Sequence, residues 1–197
     1  RAMDLHHIPT DTLLMCLIMY GCLPAWLVFG LADYFCHRAS KIEETTGVKE
    51  SIYHIIMGGQ IAIPVFLGLF FEINVLLLLI TFAVLVFHEW VAHHDVKFAL
   101  NTRPISIWET HLHSFLDMLP FMEVGLIVCR KWSAFVDLVT LNWAGHMSLL
   151  PKALPLDWHY TLGYFVLMMV ADVAPYMEEL YRCWKYQART KGVQSCS

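Results

Sequence analysis

Long apolar runs constrain the fold of this chain more than any other feature of its sequence. Four stretches are long enough, or nearly so, to cross about 30 Å of hydrocarbon as helices. They are residues 13–32, 54–71, 73–92 and 160–180. A fifth, residues 114–129, is shorter and carries Asp117 and Glu123. Of the 197 residues, 58% are hydrophobic and only 15% are charged, which favours the bilayer as solvent. The alternative is a soluble all-helical domain.

These runs predict an all-α fold, a polytopic membrane helix bundle with about five spans in a single domain, residues 1–197. The segment 132–150 mixes apolar residues with Asp137, Asn142 and His146, which is typical of an interfacial or re-entrant helix. A tight turn, "FEIN" at residues 71–74, joins the second and third spans, and residues 185–197 form a polar tail. Six cysteines without a CxxC pair argue against a disulfide scaffold or a zinc ribbon.

The order of the spans assigns each connection to one of two faces. Side B receives the connection between spans one and two, the connection between spans three and four, and the segment after the last span; side A receives the others. Basic residues fall mostly on side B: Arg38, Lys41, Lys49, Lys97, Arg103, Arg182, Lys185, Arg189 and Lys191. The positive-inside rule then predicts that side B is cytoplasmic, with the N-terminus outside and the C-terminus in the cytoplasm.

Histidine is distributed just as unevenly as the basic residues. Seven of the 11 histidines fall on side B, near span ends, and carboxylates accompany them: His37, His54, His88, His93, His94, His111 and His113. Ionisable groups at membrane depth are costly, so their gathering on one face predicts a functional site.

The spacing of these residues indicates metal binding. Residues four apart share a helix face, so the acid and the histidine of "DYFCH" or of "ESIYH" can point at one ion. One such pair could equally form a structural hydrogen bond, but several such pairs on one side of the membrane predict a metal site. His111 lies on another face unless its segment is extended. The predicted ligands are Asp33, His37, Glu50, His54, His88, Asp95, Glu109, His111 and His113.

Further side chains on this side are expected either to bind metal or to orient its ligands. They are Glu43, Glu44, Glu89, His93, His94, Asp117, Glu178 and Glu179, where solvated surface acids are the alternative for the last two. Mixed imidazole and carboxylate donors suit iron, manganese or zinc, and there are more donors than one tetrahedral zinc can use. The sequence therefore predicts two metal ions.

The arrangement resembles the integral-membrane di-iron superfamily of fatty acid hydroxylases, desaturases and alkane monooxygenases. "HEWVAHH" resembles the second histidine box of that superfamily, "HLH" a truncated third, and "DYFCH" a first box with Asp33 in place of its leading histidine. "IEETTGVKESIYH" with "ETHLHSFLDMLP" is similar to a small family of bacterial membrane proteins, and this similarity implies a location in a bacterial inner membrane.

This resemblance implies a dioxygen-dependent oxidase with two iron ions and a lipid-like or other hydrophobic substrate. It implies a separate reductase as electron donor, because the chain carries no flavin, haem or iron–sulfur motif. Nucleic acid is not an expected partner. Glu109 and Arg103 are the candidate catalytic residues; Arg103 is expected to pair with a ligand carboxylate or an anionic headgroup, unless it is a surface arginine.

Two other functions are compatible with the same residues. A zinc-dependent membrane amidase or other hydrolase would use one zinc to activate water, with a nearby carboxylate as base. A non-enzymatic metal transporter or sensor is the third possibility, although transporters place charged ligands near the bilayer midplane. Only Asp117, Glu123 and Asp172 are expected at that depth.

Overall fold

The computed structural model describes residues 8–194, and within that range the fold is helical without a β-strand. Six helices follow one another along the chain, with a short 3₁₀ turn at Ile42–Glu44 between the first two. They are α1 (Thr10–Cys16, Leu17–Cys22 and Leu23–Ser40), α2 (Val48–Phe70), α3 (Val75–Thr102), α4 (Ile107–Arg130), α5 (Trp132–Val139) and α6 (Trp158–Met168, Met169–Val173 and Ala174–Gln194).

Five of these helices, all except α5, are long and apolar enough to cross a membrane. Their outer surfaces expose large apolar side chains such as Phe66, Val86 and Phe121, whereas many buried side chains are polar or charged. Such extensive apolar exposure is unusual for a soluble protein, and it matches a bundle whose solvent is hydrocarbon. The predicted all-α membrane bundle with five spans is confirmed.

Three of the spans begin at side chains that cap the free amides of a helix N-terminus. Asn74 ends the "FEIN" turn and accepts a hydrogen bond from Leu77 N at 3.1 Å. Ser106 accepts one from Glu109 N at 3.1 Å, and Asp157 accepts one from His159 N at 2.7 Å. Such caps fix where a helix starts, so the Ser106 cap also sets the register of Glu109.

The helices extend well beyond the predicted spans on side B. α1 continues to Ser40 instead of residue 32, and α3 to Thr102 instead of residue 92; α2 begins at Val48 and α4 at Ile107. Hydropathy marks only the part of a helix that faces hydrocarbon. Beyond that part the helices continue with their polar side chains turned inward, so the weak span 114–129 is one section of a complete 24-residue helix.

The predicted interfacial helix at 132–150 is much shorter than expected. Only Trp132–Val139 is helical, because Leu141 and Gly145 have positive φ angles that an α-helix cannot accommodate. The irregular chain that follows returns across side A and is held to the α2–α3 turn, where Glu72 N donates to Leu150 O at 2.8 Å. The predicted polar tail 185–197 is helical to Gln194, and its last residues lie outside the described range.

The interior of the bundle is divided into an apolar part and a polar part. α2 packs along α3 and α6, and α1 packs along α4. An apolar core of Leu23, Leu27, Tyr164 and Ala171 joins α1 to α6. On side B the same helices bury polar residues instead. α1 and α6 each contain one π-helical turn, Leu17–Cys22 and Met169–Val173, a feature that often accompanies functional sites.

Candidate metal centre

The side-B ends of all five spanning helices bring acidic and histidine side chains into one group, here called the donor cluster. Seven of its eight members are buried, and His113 is partly buried with 17% of its side chain exposed. The members are Asp33 and His37 from α1, Glu50 and His54 from α2, Asp95 from α3, Glu109 and His113 from α4, and Glu179 from α6.

The cluster is built from one repeated sequence pattern. On α1, α2 and α4 an acidic residue is followed four positions later by a histidine, as in Asp33 and His37. A helix returns to nearly the same face after four residues, so each helix presents one carboxylate and one imidazole side by side. The three predicted pairs do point into a common site.

Glu179 joins the two most deeply buried histidines. Its Oε2 accepts a hydrogen bond from His37 Nδ1 at 3.1 Å, and its Oε1 accepts one from His54 Nδ1 at 2.9 Å. The two imidazole rings are stacked, with centroids 4.4 Å apart and 9° between their planes. Because a carboxylate only accepts, both Nδ1 atoms carry hydrogen. Carboxylates hold metal-ligating histidines in this tautomer, which frees Nε2 for a metal.

The two Nε2 atoms face other carboxylates at a separation typical of metal ligands. His37 Nε2 lies 3.4 Å from Asp33 Oδ2, 3.4 Å from Glu109 Oε1 and 4.0 Å from Glu50 Oε1. His54 Nε2 lies 3.4 Å from Asp95 Oδ2. Ligands about 2.1 Å from a tetrahedral ion are about 3.4 Å from one another. These atoms are therefore spaced to surround ions between them.

Two overlapping trios of donor atoms could each hold an ion. One is Asp33, His37 and His113, and the other is His37, Glu50 and His54; the atoms of each trio lie within 4.8 Å of one another. Asp33 links His37 to His113, because its Oδ1 is 3.5 Å from His113 Nε2. Several donor-cluster atoms lack a hydrogen-bond partner in the described range, namely Asp33 Oδ1, His37 Nε2, His54 Nε2 and Asp95 Oδ1.

Arg103 fixes two of the carboxylates. Its Nη2 donates to Glu50 Oε1 at 2.5 Å and to Glu109 Oε1, and its Nη1 donates to Glu109 Oε2 at 3.1 Å. Burial acts to lower the pKa of this guanidinium, but the hydrogen bonds with Glu109 and Glu50 outweigh it and hold the pKa above its ordinary value. The expected pairing with ligand carboxylates is therefore seen, and the surface-arginine alternative is wrong.

The donor cluster contains more buried acids than buried cations, and bound cations or protons on its imidazoles would offset the difference. Five buried carboxylates face a single buried guanidinium, which leaves four negative charges when the imidazoles are neutral. Uncompensated charge in a low-dielectric interior costs several kcal/mol per ion, of order 3–5 kcal/mol when one partner of a pair is missing. The two trios share His37, whose one free nitrogen can ligate a single ion, so they are alternative positions for one cation; a second cation or protons on the imidazoles would offset the remaining charge.

Three predicted histidines do not reach the donor cluster. His111, a predicted ligand, is exposed because α4 is a regular helix there and a residue two positions from Glu109 points about 200° away. His93 and His94 are also exposed, and His94 Nδ1 contacts Trp90 O at 2.7 Å. The structure places His111 outside the donor cluster, and the two α3 histidines lie in none of the candidate metal trios.

Of the acids predicted to bind a metal or to orient its ligands, most also lie outside the donor cluster. Glu43 pairs with Arg182, Glu44 lies 3.8 Å from Lys41, and Glu178 contacts Arg38 at 3.3 Å. These three form surface and rim ion pairs outside the cluster. Glu89 is partly buried and lies in none of the candidate metal trios. For Glu179, the solvated alternative is wrong because its side chain is fully buried.

His88 and Asp117 lie next to the donor cluster, on the side that faces the membrane interior. They line a cavity of about 50 Å³ together with Asp33, His54 and His113. His88 is 4% exposed and its Nδ1 has no hydrogen-bond partner among the described residues. A metal or substrate in this cavity would therefore meet both residues.

Two residues of this cavity escaped the sequence analysis as site residues. Asp172 is 9% exposed and lies between Gly30 and Gly58, and Tyr176 donates a hydrogen bond to Gly30 O at 3.0 Å. A signal was present in the spacing, since Asp172, Tyr176 and Glu179 follow one another at intervals of four and three residues. That spacing marks one helix face.

No family model, curated protein or solved structure matches this chain. The resemblance to the membrane di-iron superfamily therefore stays a prediction from the sequence.

Histidine substitutions test the cluster directly. We expect His54→Ala and His113→Ala to weaken metal affinity by at least about a hundredfold, because each removes an imidazole that faces a carboxylate. His111→Ala, on the same helix as His113, and His94→Ala, on the helix that packs along that of His54, serve as controls. Both of these side chains are exposed. Metal content per chain, counted by mass spectrometry after purification in detergent, is the measurement. Full metal content in the first two variants would refute the assignment.

Glu179→Gln tests the role of the shared carboxylate. An amide offers one acceptor and one donor, so one of the two histidines must move its proton to the Nε2 that faces the site. We expect metal affinity to fall by about ten- to a hundredfold, as measured by competition with a chelator. Glu178→Gln is the matched control, because Glu178 pairs with Arg38 at the rim. Equal affinities in the two variants would contradict this role.

Proposed function

We propose that this protein is a membrane-embedded di-iron oxidase, a hydroxylase or desaturase, that uses dioxygen to act on a lipid-like substrate. The observation that carries the proposal is the pair of stacked imidazoles held by Glu179, whose free Nε2 atoms both face carboxylates. Pairs of carboxylate and histidine on several helices are the donor sets of helical di-iron proteins.

The composition of the donor set favours iron or manganese over zinc. Five carboxylates and three histidines exceed the four ligands of a structural zinc, and the set contains no thiolate. Imidazole together with carboxylate suits iron or manganese. The chemistry that iron supplies when bound is the activation of dioxygen for attack on an otherwise inert C–H bond.

The chain's own residues prepare the site for that chemistry. Glu179 fixes the tautomers of His37 and His54, and Arg103 holds Glu50 and Glu109 in place with all of its contacts directed at those two carboxylates. Arg103 is therefore a positioning residue, whereas Glu109 faces His37 Nε2 and would touch the metal. Electrons would come from a separate reductase docking on side B.

A zinc-dependent amidase or other hydrolase is the second candidate. Asp33, His37 and His113 alone form a site of two imidazoles and one carboxylate, and His113 is the partly exposed member, which leaves a side open to water. The additional buried carboxylates count against it, because a single zinc would leave most of them uncompensated.

Metal content distinguishes the two candidates. We expect about two irons per chain in protein purified in mild detergent without an affinity-metal step, with the magnetic coupling of an iron pair in Mössbauer spectra. With a chemical reductant and lipid extract, this protein should consume dioxygen. Glu50→Gln should abolish consumption, and Glu44→Gln, at an exposed acid nearby, should not. About one zinc per chain would favour hydrolysis, and no bound metal after reconstitution would refute both functions.

The proposal also includes an orientation, with side B and the C-terminus in the cytoplasm of a bacterial cell. The excess of lysine and arginine on side B supports it. A green fluorescent protein fused after Ser197 should therefore fluoresce, and alkaline phosphatase fused there should be inactive. The same two reporters at residue 145, in the connection on side A, should give the opposite result. The reverse pattern at both positions would overturn the orientation.

A further inference from the structure

Three polar side chains lie beside the donor cluster without belonging to it. They are His88 on α3, Asp117 on α4 and Asp172 on α6, and all three line the cavity of about 50 Å³. On α3, His88 lies seven residues before Asp95, which is about two helical turns. On α6, Asp172 lies seven residues before Glu179. The spanning helices therefore carry a second layer of polar residues, closer to the membrane interior than the donor cluster.

Polar atoms of this second layer lack partners. Asp172 is 9% exposed and His88 is 4% exposed, and His88 Nδ1 makes no hydrogen bond with any described residue. The carboxylates of Asp117 and Asp172 take part in no hydrogen bond or ion pair within residues 8–194. An ionised carboxylate at membrane depth is costly, so two of them around one cavity require a cation or protons.

The structure leaves space around the carboxylate of Asp172. This residue lies in the π-helical turn Met169–Val173 of α6. A Cβ atom at Gly58 would lie 3.6 Å from its Oδ2, and a Cβ atom at Gly30 would lie 3.9 Å from its Oδ1. A side chain longer than that of alanine at either glycine would therefore compete with the carboxylate for this space. Both glycines also line the cavity.

The volume of the cavity limits what it can hold. One buried water needs about 10–15 Å³ of such space, so a cavity of about 50 Å³ has room for an ion and a few waters. Pockets for organic ligands are larger, about 300–1,000 Å³. A small cation with water is therefore the occupant that fits both the charge and the volume of this cavity.

The side chains around the cavity indicate the class of cation. The two carboxylates of Asp117 and Asp172 balance the charge of one divalent ion, and His88 adds an imidazole. Imidazole together with carboxylate and water suits manganese or iron(II). These three residues are not among the trios whose donor atoms lie within 4.8 Å of one another. The ion would therefore contact some of them through water.

We infer that this cavity binds a second divalent cation, partly hydrated, between His88, Asp117 and Asp172. The donor cluster provides the site for the first cation, because its two trios share His37 and are alternative positions for one ion. The inference deepens the proposed function and rests on it for the identity of the metal as iron. The position of the second ion rests on the cavity and its three polar side chains.

Counting bound ions in a charge-neutral variant tests this position. Protein stripped of metal is titrated with Mn²⁺ in detergent, and free Mn²⁺ is measured by electron paramagnetic resonance. We expect the wild type to bind two ions and Asp172→Asn to bind the second at least about a hundredfold more weakly, because the amide keeps the size of the carboxylate without its charge. Glu123→Gln is the matched control, since Glu123 is an acid of a spanning helix that lines other cavities. Tight binding of two ions by Asp172→Asn would overturn the inference.

Two neighbouring glycines test the space that the ion would occupy. Gly58→Val should also weaken binding of the second ion at least about tenfold, because its side chain competes for the space beside Asp172. Gly59→Val makes the same change one position away, where nothing lies within 4 Å of an added Cβ, and should bind both ions. Thermal melting with and without Mn²⁺ shows that each variant is folded. Unweakened binding of both ions by folded Gly58→Val would overturn the inference.

The outcome for this ion is separable from the outcome for the proposed function. Iron content and Mn²⁺ binding are measured on samples of the same variants. Two irons in both the wild type and Asp172→Asn would leave the oxidase standing and overturn the inference. A single ion that is lost from Asp172→Asn and kept in His37→Ala would support the cavity site and refute the metal centre at the donor cluster. A single ion that Asp172→Asn keeps, or no bound ion in the wild type, would overturn the inference.

Discussion

Glu179 makes the contact on which the rest of the donor cluster depends. One carboxylate accepts hydrogen bonds from His37 and His54, and this single choice sets both tautomers, stacks both rings and turns both free nitrogens towards the other acids. Because α6 packs on α2, the same contact also holds the last helix against the helix that carries His54. An acid at this position therefore acts on the geometry of every donor that faces those two nitrogens.

The bundle separates two kinds of interior that a soluble protein would mix. In the hydrocarbon region helices gain little from the hydrophobic effect and associate through close van der Waals packing, as in the apolar core between α1 and α6. On side B the interior is held by charge, through Arg103 and its two carboxylates and through the shared acid of α6. The apolar core and the donor cluster therefore lie one after the other along the same helices.

Much of the site could be predicted from sequence, because helical periodicity alone decides which side chains share a face. The pairs Asp33 with His37 and Glu50 with His54 follow from a spacing of four, and both lie in the donor cluster. By the same rule, His111 points away from the donor cluster, because it lies only two residues after Glu109. The helix ends were predicted poorly. Hydropathy changes where the lipid ends, whereas the helix continues beyond that point. The distinction between Glu178 and Glu179 also required the structure: the two are adjacent, and only the rotation of α6 about its axis decides which one is buried.

The position of Glu179 on α6, which follows the other four spanning helices, has a consequence for biogenesis. A membrane protein is synthesised and inserted from its N-terminus, so the residues that α1 to α4 contribute reach the membrane before the residue that orients them. Until the last span is in place, His37 and His54 lack the acceptor that fixes their protons. The donor cluster is therefore not ordered until α6 has joined the other spanning helices. Insertion of α6 and ordering of the cluster become the same event.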